Sequence, residues 1–226
     1  ALHCLRLTAA LMLVWLVLRT LKYEVVTDMT VARYIWYLYY LPMLFIPLFG
    51  VYIALSLGKS EKFRLSGRIG ALAIIPATLF LLVITNDLHQ QMFAFSSGRS
   101  GRPDNYSYTH GPVYFCCLGW MVVCLFFSLT LLLKKSRVPG SKKKKLTPFV
   151  IGCATVLYGL LYLAGPPAVR WWFGDMNVMF CLLYAAIYES CIRCRMIQSN
   201  TGYVELFEAT TLAACIADRN GDIVLR

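Results

Sequence analysis

Polar and ionisable side chains that could do chemistry are concentrated in two short stretches of a largely apolar chain. In the first stretch, Asn86, Asp87, His89 and Gln90 lie within one turn of sequence. Their amides, carboxylate and imidazole offer donors and acceptors to a ligand, and the charge of histidine changes near neutral pH. We predict that these four residues contribute to a ligand-binding site. Solvated polarity at a membrane boundary is the simpler alternative.

The second polar stretch lies where the last apolar run of the chain ends. Glu189 precedes Arg193 by four positions, which allows an ion pair along one face of a helix. We predict that this pair, with Asn200 and Gly202 in the following break, couples helix movement to the rest of the chain. An ordinary salt bridge at the interface is the alternative.

Histidine and cysteine are the residues that could hold a metal or haem. His110 could join His89 and Asp87, but the chain has only three histidines, and the sequence places no second one on a clearly facing helix. Cys191 and Cys194 have the spacing of a thiol pair, yet a structural zinc needs four ligands. We predict free thiols, no catalytic residue, no metal and no cofactor.

Aromatic residues are clustered just before Pro42 and Pro47. Such rings prefer the membrane interface, although beside two prolines they could also form the wall of a pocket. We therefore add Trp36 and Tyr40 to the predicted ligand-binding residues. Proline removes a backbone donor, so kinks and freed carbonyls are expected in this helix.

Composition indicates that the bilayer surrounds most of this chain. Of its 226 residues, 59% are hydrophobic and only 15% are charged. Six apolar runs approach the roughly 20 residues that a membrane-spanning helix needs. They are Leu2–Thr20, Tyr34–Leu57, Ile69–Thr85, Pro112–Leu133, Pro148–Ala168 and Val178–Ile192. We predict an all-α polytopic membrane helix bundle.

The net charge of +11 indicates the orientation of the bundle. The second and fourth loops between the predicted spans hold eleven of the 22 Lys and Arg residues, and the alternate loops hold six. Because basic loops stay in the cytoplasm, the chain is predicted to cross the plasma (inner) membrane with both termini on the cytoplasmic side. Lys142, Lys143, Lys144 and Lys145 are predicted to contact anionic lipid, and nucleic-acid binding is not expected.

The last 29 residues have a different character from the rest. Residues 1–197 are predicted to be the transmembrane domain, and 198–226 a linker helix followed by a hairpin. The helix is expected over Tyr203–Thr210, and the strands at Ala213–Ala217 and Ile223–Leu225 flank an Asn-Gly pair that is typical of tight turns. A lone hairpin is marginal in water, so we expect it to begin a larger cytoplasmic domain.

Several strings of residues resemble one family. RYIWYLYYLPMLFIPL, TNDLHQ, GDMNVMFCLLYAAIYESCI and SNTGYVELFEA are similar to the N-terminal seven-helix sensory region of bacterial membrane histidine kinases. The hairpin IADRNGDIVL resembles the first two strands of a PAS-type α/β domain. The resemblance implies seven spans in the parent protein, a homodimer formed through the cytoplasmic domain, and a kinase output. The 226 residues contain no phospho-acceptor or ATP-binding motif, so we expect no enzyme activity from them.

Two classes of function remain open from the sequence. The leading hypothesis is the sensory input module of a two-component signal-transduction protein, which receives a small-molecule or peptide signal. The alternative is a subunit of a small-solute transporter or channel, which should have repeated halves or ionisable residues near mid-membrane.

Overall fold

The structure is a helix bundle with a short β-hairpin at one end. The computed structural model describes residues 2–56, 67–95, 108–135, 146–164, 176–194, 216–217 and 223–225. Its helices are α1 (Leu2–Thr20), α2 (Met29–Leu38), α3 (Tyr40–Ser56), α4 (Gly67–Gly70), α5 (Ile74–Ile84), α6 (Asn86–His89), α7 (Pro112–Lys135), α8 (Thr147–Ala164) and α9 (Met176–Arg193). A π-helical turn (Leu21–Val25) continues α1, and a 3-10 turn (Ala71–Ala73) precedes α5.

Four helical segments of the described chain are long and apolar enough to cross a membrane. They are His3–Val25, Met29–Ser56, Pro112–Lys134 and Thr147–Ala164. They coincide with four of the six predicted spans and confirm a membrane helix bundle. The predicted third span corresponds to the shorter apolar helix Ala71–Ile84, and the predicted sixth span corresponds to α9, which does not meet the same criterion. Four candidate spans, rather than six, are therefore established.

Helix α3 lies at the centre of the bundle. It is apolar on every side, which is the pattern of a helix buried all round. It packs against α1, α5 and α7, while α8 and α9 pack on each other. Leu44, Ile46 and Ile53 are completely buried, whereas Leu13 on α1 is 65% exposed. The outer helices thus present apolar side chains to the surroundings, as a bilayer requires.

The predicted effect of the prolines is visible where α2 gives way to α3. Pro42 has no N–H for the carbonyl of Leu38, four residues earlier, and α2 ends at that residue. At this point the N–H of Tyr39 bonds to the carbonyl of Trp36, three residues earlier, at 3.2 Å. Further along α3, Trp120 Nε1 donates to the carbonyl of Leu44 at 3.1 Å. Side chains of neighbouring helices therefore bond carbonyls of the proline-containing helix.

Two strands form a hairpin that the sequence did not reveal. β1 (Phe93–Phe95) pairs antiparallel with β2 (Tyr108–His110), with Phe93 opposite His110. Gln90 ends α6 in the left-handed conformation, with φ 52°, which turns the chain toward β1. After β2, the N–H of Gly111 bonds to the carbonyl of Met92 at 3.0 Å. The hairpin is thus tied to the helices on both sides.

A second pair of strands lies near the C-terminus. β3 (Ile216–Ala217) pairs antiparallel with β4 (Ile223–Leu225), with Ile216 opposite Leu225. This confirms the predicted hairpin in the residues that the structure describes. The predicted linker helix and the domain boundary at residue 197 lie outside those residues.

The close approach at Gly111 leads to a stability prediction. A Cβ at this position would lie 2.0 Å from the carbonyl oxygen of Gln91, and that backbone atom cannot rotate away. We expect Gly111→Ala to lower the free energy of unfolding by about 2 kcal/mol or more, because strain of this kind is among the costly mechanisms. The measurement is thermal unfolding in detergent, followed by reaction of buried thiols such as Cys117 with a fluorescent reagent.

The matched control is Gly119→Ala on α7. A Cβ there meets no atom within 4 Å, so the melting temperature should stay at or above that of the wild type. Equal melting of the two variants would contradict the close approach of Gly111 to the backbone of Gln91.

Candidate functional site

The hairpin end of the bundle carries a hydrogen-bond network centred on Asn86. This side chain is fully buried. Its Oδ1 accepts from the N–H groups of Met92 at 2.8 Å and Phe93 at 3.1 Å. Its Nδ2 donates to the carbonyl of Phe93 at 3.0 Å and to Tyr37 Oη at 3.2 Å. Asn86 therefore uses its full bonding capacity to hold β1 against α2.

Asp87 continues this network to a cation. Its Oδ1 accepts from Tyr37 Oη at 2.9 Å, and its Oδ2 lies 2.8 Å from Arg33 Nη2. The side chains of Arg33 and Asp87 are 18% and 24% exposed, so water screens the ion pair only in part. Because the members polarise one another, the chain from Asn86 through Tyr37 and Asp87 to Arg33 acts as one polar unit.

Phe93 is the centre of an aromatic cluster beside the polar unit. Its ring stacks on Trp36 with a centroid distance of 4.3 Å and meets Tyr108 edge-on at 5.1 Å. Four further rings lie about 6 to 6.5 Å from it: Tyr37, Tyr40, His110 and Tyr114. These contacts bring together α2, α3, α7 and both strands of the hairpin. Offset and edge-to-face pairs of this kind stabilise a packed cluster beyond the burial of their area.

Two cations lie against the rings. Lys22 Nζ is 4.5 Å from the centroid of Tyr23 and 5.7 Å from that of Trp36, and this residue is only 9% exposed. Arg33 Cζ lies 5.7 Å from the ring centre of Phe95. The Nε atom of Arg33 is buried and has no hydrogen-bond partner in the described part of the chain. The site can therefore donate a hydrogen bond from a cation next to aromatic walls, which suits an anionic or acceptor-bearing group.

The residues predicted to bind ligand are not all brought together. Asn86, Asp87 and Trp36 lie in the network or the cluster, and Tyr40 meets Phe93 from α3. His89 instead faces the end of the preceding helix, α5. Its Nε2 lies 3.0 Å from the carbonyl of Leu82, and its Nδ1 accepts from the N–H of Gln91 at 3.0 Å.

Gln90 is exposed at the end of α6. Among the residues that the structure describes, no three His, Cys, Asp or Glu side chains group so as to hold a metal ion. The ligand-binding roles remain predictions.

Sequence reasoning missed Arg33, Tyr37 and Phe93 as parts of this site. The sequence prediction treats Arg33 only as one of the six basic residues in the alternate loops, and Tyr37 only as one of the clustered aromatic residues before Pro42. The available signal was their spacing of four positions, which places both side chains on one face of α2. In the structure that face meets the carboxylate of Asp87. Nothing in the local sequence around Phe93 predicted its central position, because the hairpin itself was not predicted.

The predicted coupling residues lie at the other end of the bundle. Glu189 Oε1 is 2.6 Å from Arg193 Nε, so the predicted pair forms. The two side chains are 54% and 78% exposed, which is the setting of a weak surface salt bridge. Asn200 and Gly202, together with Lys142 to Lys145, lie outside the described residues.

The two ion pairs allow a direct comparison. Arg33→Gln leaves the Asp87 carboxylate largely buried without its cation, so we expect the free energy of unfolding to fall by about 1–3 kcal/mol. Arg193→Gln, the matched change in the exposed pair, should alter it by no more than about 0.5 kcal/mol. Unfolding in detergent with added denaturant measures both. Equal effects would show that the site is screened by water and not preorganised.

Comparisons with known proteins identify the family. The chain matches the family model described as the N-terminal 7TM region of histidine kinase, over residues 3–199. No curated protein gives a significant match, and no solved structure does. The matched range includes every described helix of the bundle apart from the first residue of α1, together with the residues of the hairpin-end site. The chain therefore belongs to the family of N-terminal seven-transmembrane regions of histidine kinases.

Proposed function

We propose that this chain is the sensory input module of a membrane histidine kinase, and that it carries a signal from the hairpin end of the bundle to a cytoplasmic output domain. Family membership supports the class of function. The observation that carries the mechanism is a contact between helices α3 and α9, where Tyr188 Oη donates to the carbonyl of Ile46 at 3.2 Å.

The route begins at the hairpin-end site. Trp36 and Tyr37 belong to α2, and Tyr40 is the first residue of α3, so a ligand that shifts the rings around Phe93 moves the start of α3. The ligand is a small molecule or a peptide with a hydrogen-bond acceptor, because Arg33 Nε–H at this site is a buried donor that has no hydrogen-bond partner among the described residues. Asn86 and Asp87 hold the site together, and Trp36 and Tyr40 form its aromatic wall.

The route continues to α9 through a tight contact. Gly50 makes room for the Tyr188 ring, since a Cβ on Gly50 would lie 3.1 Å from Tyr188 Oη. Thr8 of α1 also contacts this hydroxyl. Movement of α3 therefore reaches α9 through a directional bond in a closely packed place, where small shifts are transmitted and not absorbed. Glu189 directly follows Tyr188, Arg193 lies about one turn further on, and Asn200 and Gly202 form the joint to the output domain.

The proposed arrangement in the membrane has six spans and both ends in the cytoplasm. The four candidate spans are joined by α5 with its preceding turn and by α9, which makes six. A seventh helix belongs to the parent protein. The excess of Lys and Arg in alternate loops supports this orientation in the plasma (inner) membrane. It places the hairpin-end site outside and Lys142 to Lys145 against anionic lipid of the inner leaflet.

The proposed output lies beyond the bundle. The β3–β4 pair supports the start of a PAS-type domain, through which two copies of the chain form a homodimer. The kinase module of the parent protein performs the phosphoryl transfer, and the residues of this chain contribute no catalytic group.

A pair of tyrosine variants tests the transmission step. We expect Tyr188→Phe in the full-length protein to change autophosphorylation in membrane vesicles about fivefold, because a bond worth about 1 kcal/mol that is made in one state only shifts a two-state ratio by that factor. Tyr184→Phe, one turn away, removes the hydroxyl of a buried tyrosine but keeps its ring, so it is the control and should leave the rate near that of the wild type. Unchanged autophosphorylation in both variants would contradict transmission through this contact, and none in the wild type would contradict the kinase assignment.

The orientation has its own test. In a background where the native cysteines are replaced, Ser100→Cys should react with a membrane-impermeant thiol reagent in intact cells, because its loop carries few basic residues. Ser141→Cys, in the basic loop, should react only after the cells are opened. The opposite pattern would invert the proposed direction of signalling.

A further inference from the structure

An apolar cavity lies between α7, α8 and α9, away from the hairpin-end site. Its volume is about 70 Å³, and Trp15 and Met43 close it on the side of α1 and α3. Thr155 is the polar residue of α8 in its wall, and its hydroxyl is already bonded to the carbonyl of Ile151 at 2.8 Å. A water molecule in a cavity needs several polar partners. The cavity therefore offers an environment for hydrocarbon and not for water.

The cavity exists because α7 and α8 are close at one end only. Gly152 lies against Leu129, where a Cβ would be 2.7 Å from Leu129 Cδ1, and the rings of Phe126 and Phe149 meet at 5.5 Å. Further along, toward the hairpin end of α7, Gly159 lets Phe180 of α9 approach α8, since a Cβ there would lie 3.3 Å from Phe180 Cζ, and the cavity lies beside this contact. Glycines thus allow two close helix contacts, α7 with α8 and α8 with α9, and the cavity lies next to the second.

The mouth of the cavity faces the surroundings of the bundle. Leu160 in its wall is 53% exposed, and Leu118 and Val122 are partly exposed. All three belong to helices that qualify as membrane spans. A molecule entering here therefore comes sideways from the hydrocarbon region of the bilayer and not from water.

We propose that this cavity binds a hydrocarbon chain, which enters end-on from the membrane between α7 and α8. The size favours a chain over a ring, because an engineered apolar cavity that accepts benzene has about twice the volume, roughly 150 Å³. The chain belongs either to a phospholipid or to a free fatty acid, since the cavity wall contacts only the methylene groups that both share.

The bound chain contacts the helix that leads to the output domain. Phe180 and Tyr184 of α9 line the cavity, and Trp15 Nε1 donates to Asn177 Oδ1 at 3.3 Å beside it. Occupation of the cavity therefore fixes the distance of α9 from α7. Binding itself is independent of the proposed sensor function, whereas its effect on output rests on that function.

Photo-crosslinking tests the binding. The full-length protein, in vesicles of phosphatidylethanolamine and phosphatidylglycerol, is exposed to one of two probes: a fatty acid with a diazirine at the chain end, or a phosphatidylglycerol with the same chain. Mass spectrometry should locate adducts on cavity residues such as Met121 and Tyr184. The probe that labels them identifies the source of the chain, and labelling by neither probe overturns the proposal.

Two adjacent valines provide the matched variants. Val122 lines the cavity, and Val123 is 65% exposed on the surface of the same helix. We expect Val122→Trp to reduce the cavity adducts at least fivefold by filling the space, and Val123→Trp to leave them unchanged. Equal labelling of both variants overturns the proposal, because the probe would then be reporting lipid around the bundle only.

A second pair of variants is used if Val122→Trp does not fold. Misfolding is detected by thermal unfolding followed through the reaction of buried thiols. Leu160→Trp fills the mouth from α8, and Leu157→Trp, at a position 57% exposed and outside the cavity, is its control. The labelling experiment does not depend on kinase activity, so an absence of cavity labelling would not contradict the proposed sensor function. Cavity labelling combined with unchanged autophosphorylation in Tyr188→Phe would instead contradict the sensor route alone.

Discussion

Every backbone carbonyl in the hydrocarbon region needs a donor, and this requirement is hardest to meet around the two prolines of α3. Pro42 and Pro47 remove two donors within six residues of the most buried helix of the bundle. The carbonyls that the two prolines release are those of Leu38 and Met43, whereas Trp120 of α7 and Tyr188 of α9 donate to the nearby carbonyls of Leu44 and Ile46. The central helix is thereby fixed to two neighbours by directional bonds, in addition to the packing that holds any membrane bundle together.

The same requirement explains the hairpin end. The chain must leave α6 and return to α7, and the irregular backbone between them needs partners. Asn86 satisfies the backbone of β1, and in doing so its amide is held at a fixed distance from Tyr37. Tyr37 then bonds Asp87, which holds Arg33. A structural solution for one turn of backbone thus positions a partly buried ion pair beside a cluster of aromatic rings.

The sequence predicted the parts of this fold that depend on local composition. Apolar runs located four candidate spans, and the Asn-Gly pair located the C-terminal hairpin. The spacing of Glu189 and Arg193 predicted an ion pair that forms. Asn86 and Asp87, singled out at the end of an apolar run, lie in one hydrogen-bond network, and their ligand-binding role stays a prediction. Each of these inferences uses residues close together in the chain.

What could not be predicted depends on contacts between distant residues. Asp87 finds its cation more than fifty positions earlier, and Trp15 bonds Asn177 across 162 positions. His89 was the most conspicuous polar residue in its segment, yet its two nitrogens are taken up by Leu82 and Gln91. The sequence gives the chemical capacity of a side chain, whereas the choice among partners is made by packing.

Helix α9 differs from the other long helices in what holds it, and this difference bears on signalling. It is less apolar than the candidate spans, and it is bonded to α1 through Asn177 and to α3 through Tyr188. Its packing against α8 is close at Gly159, where a Cβ would lie 3.3 Å from Phe180 Cζ, and is interrupted beside that point by the cavity. Its position relative to α1 and α3 therefore depends on a few bonds, each worth about 1 kcal/mol. Two arrangements of such a helix differ by little free energy, so a ligand needs only modest differential affinity to move it from one to the other.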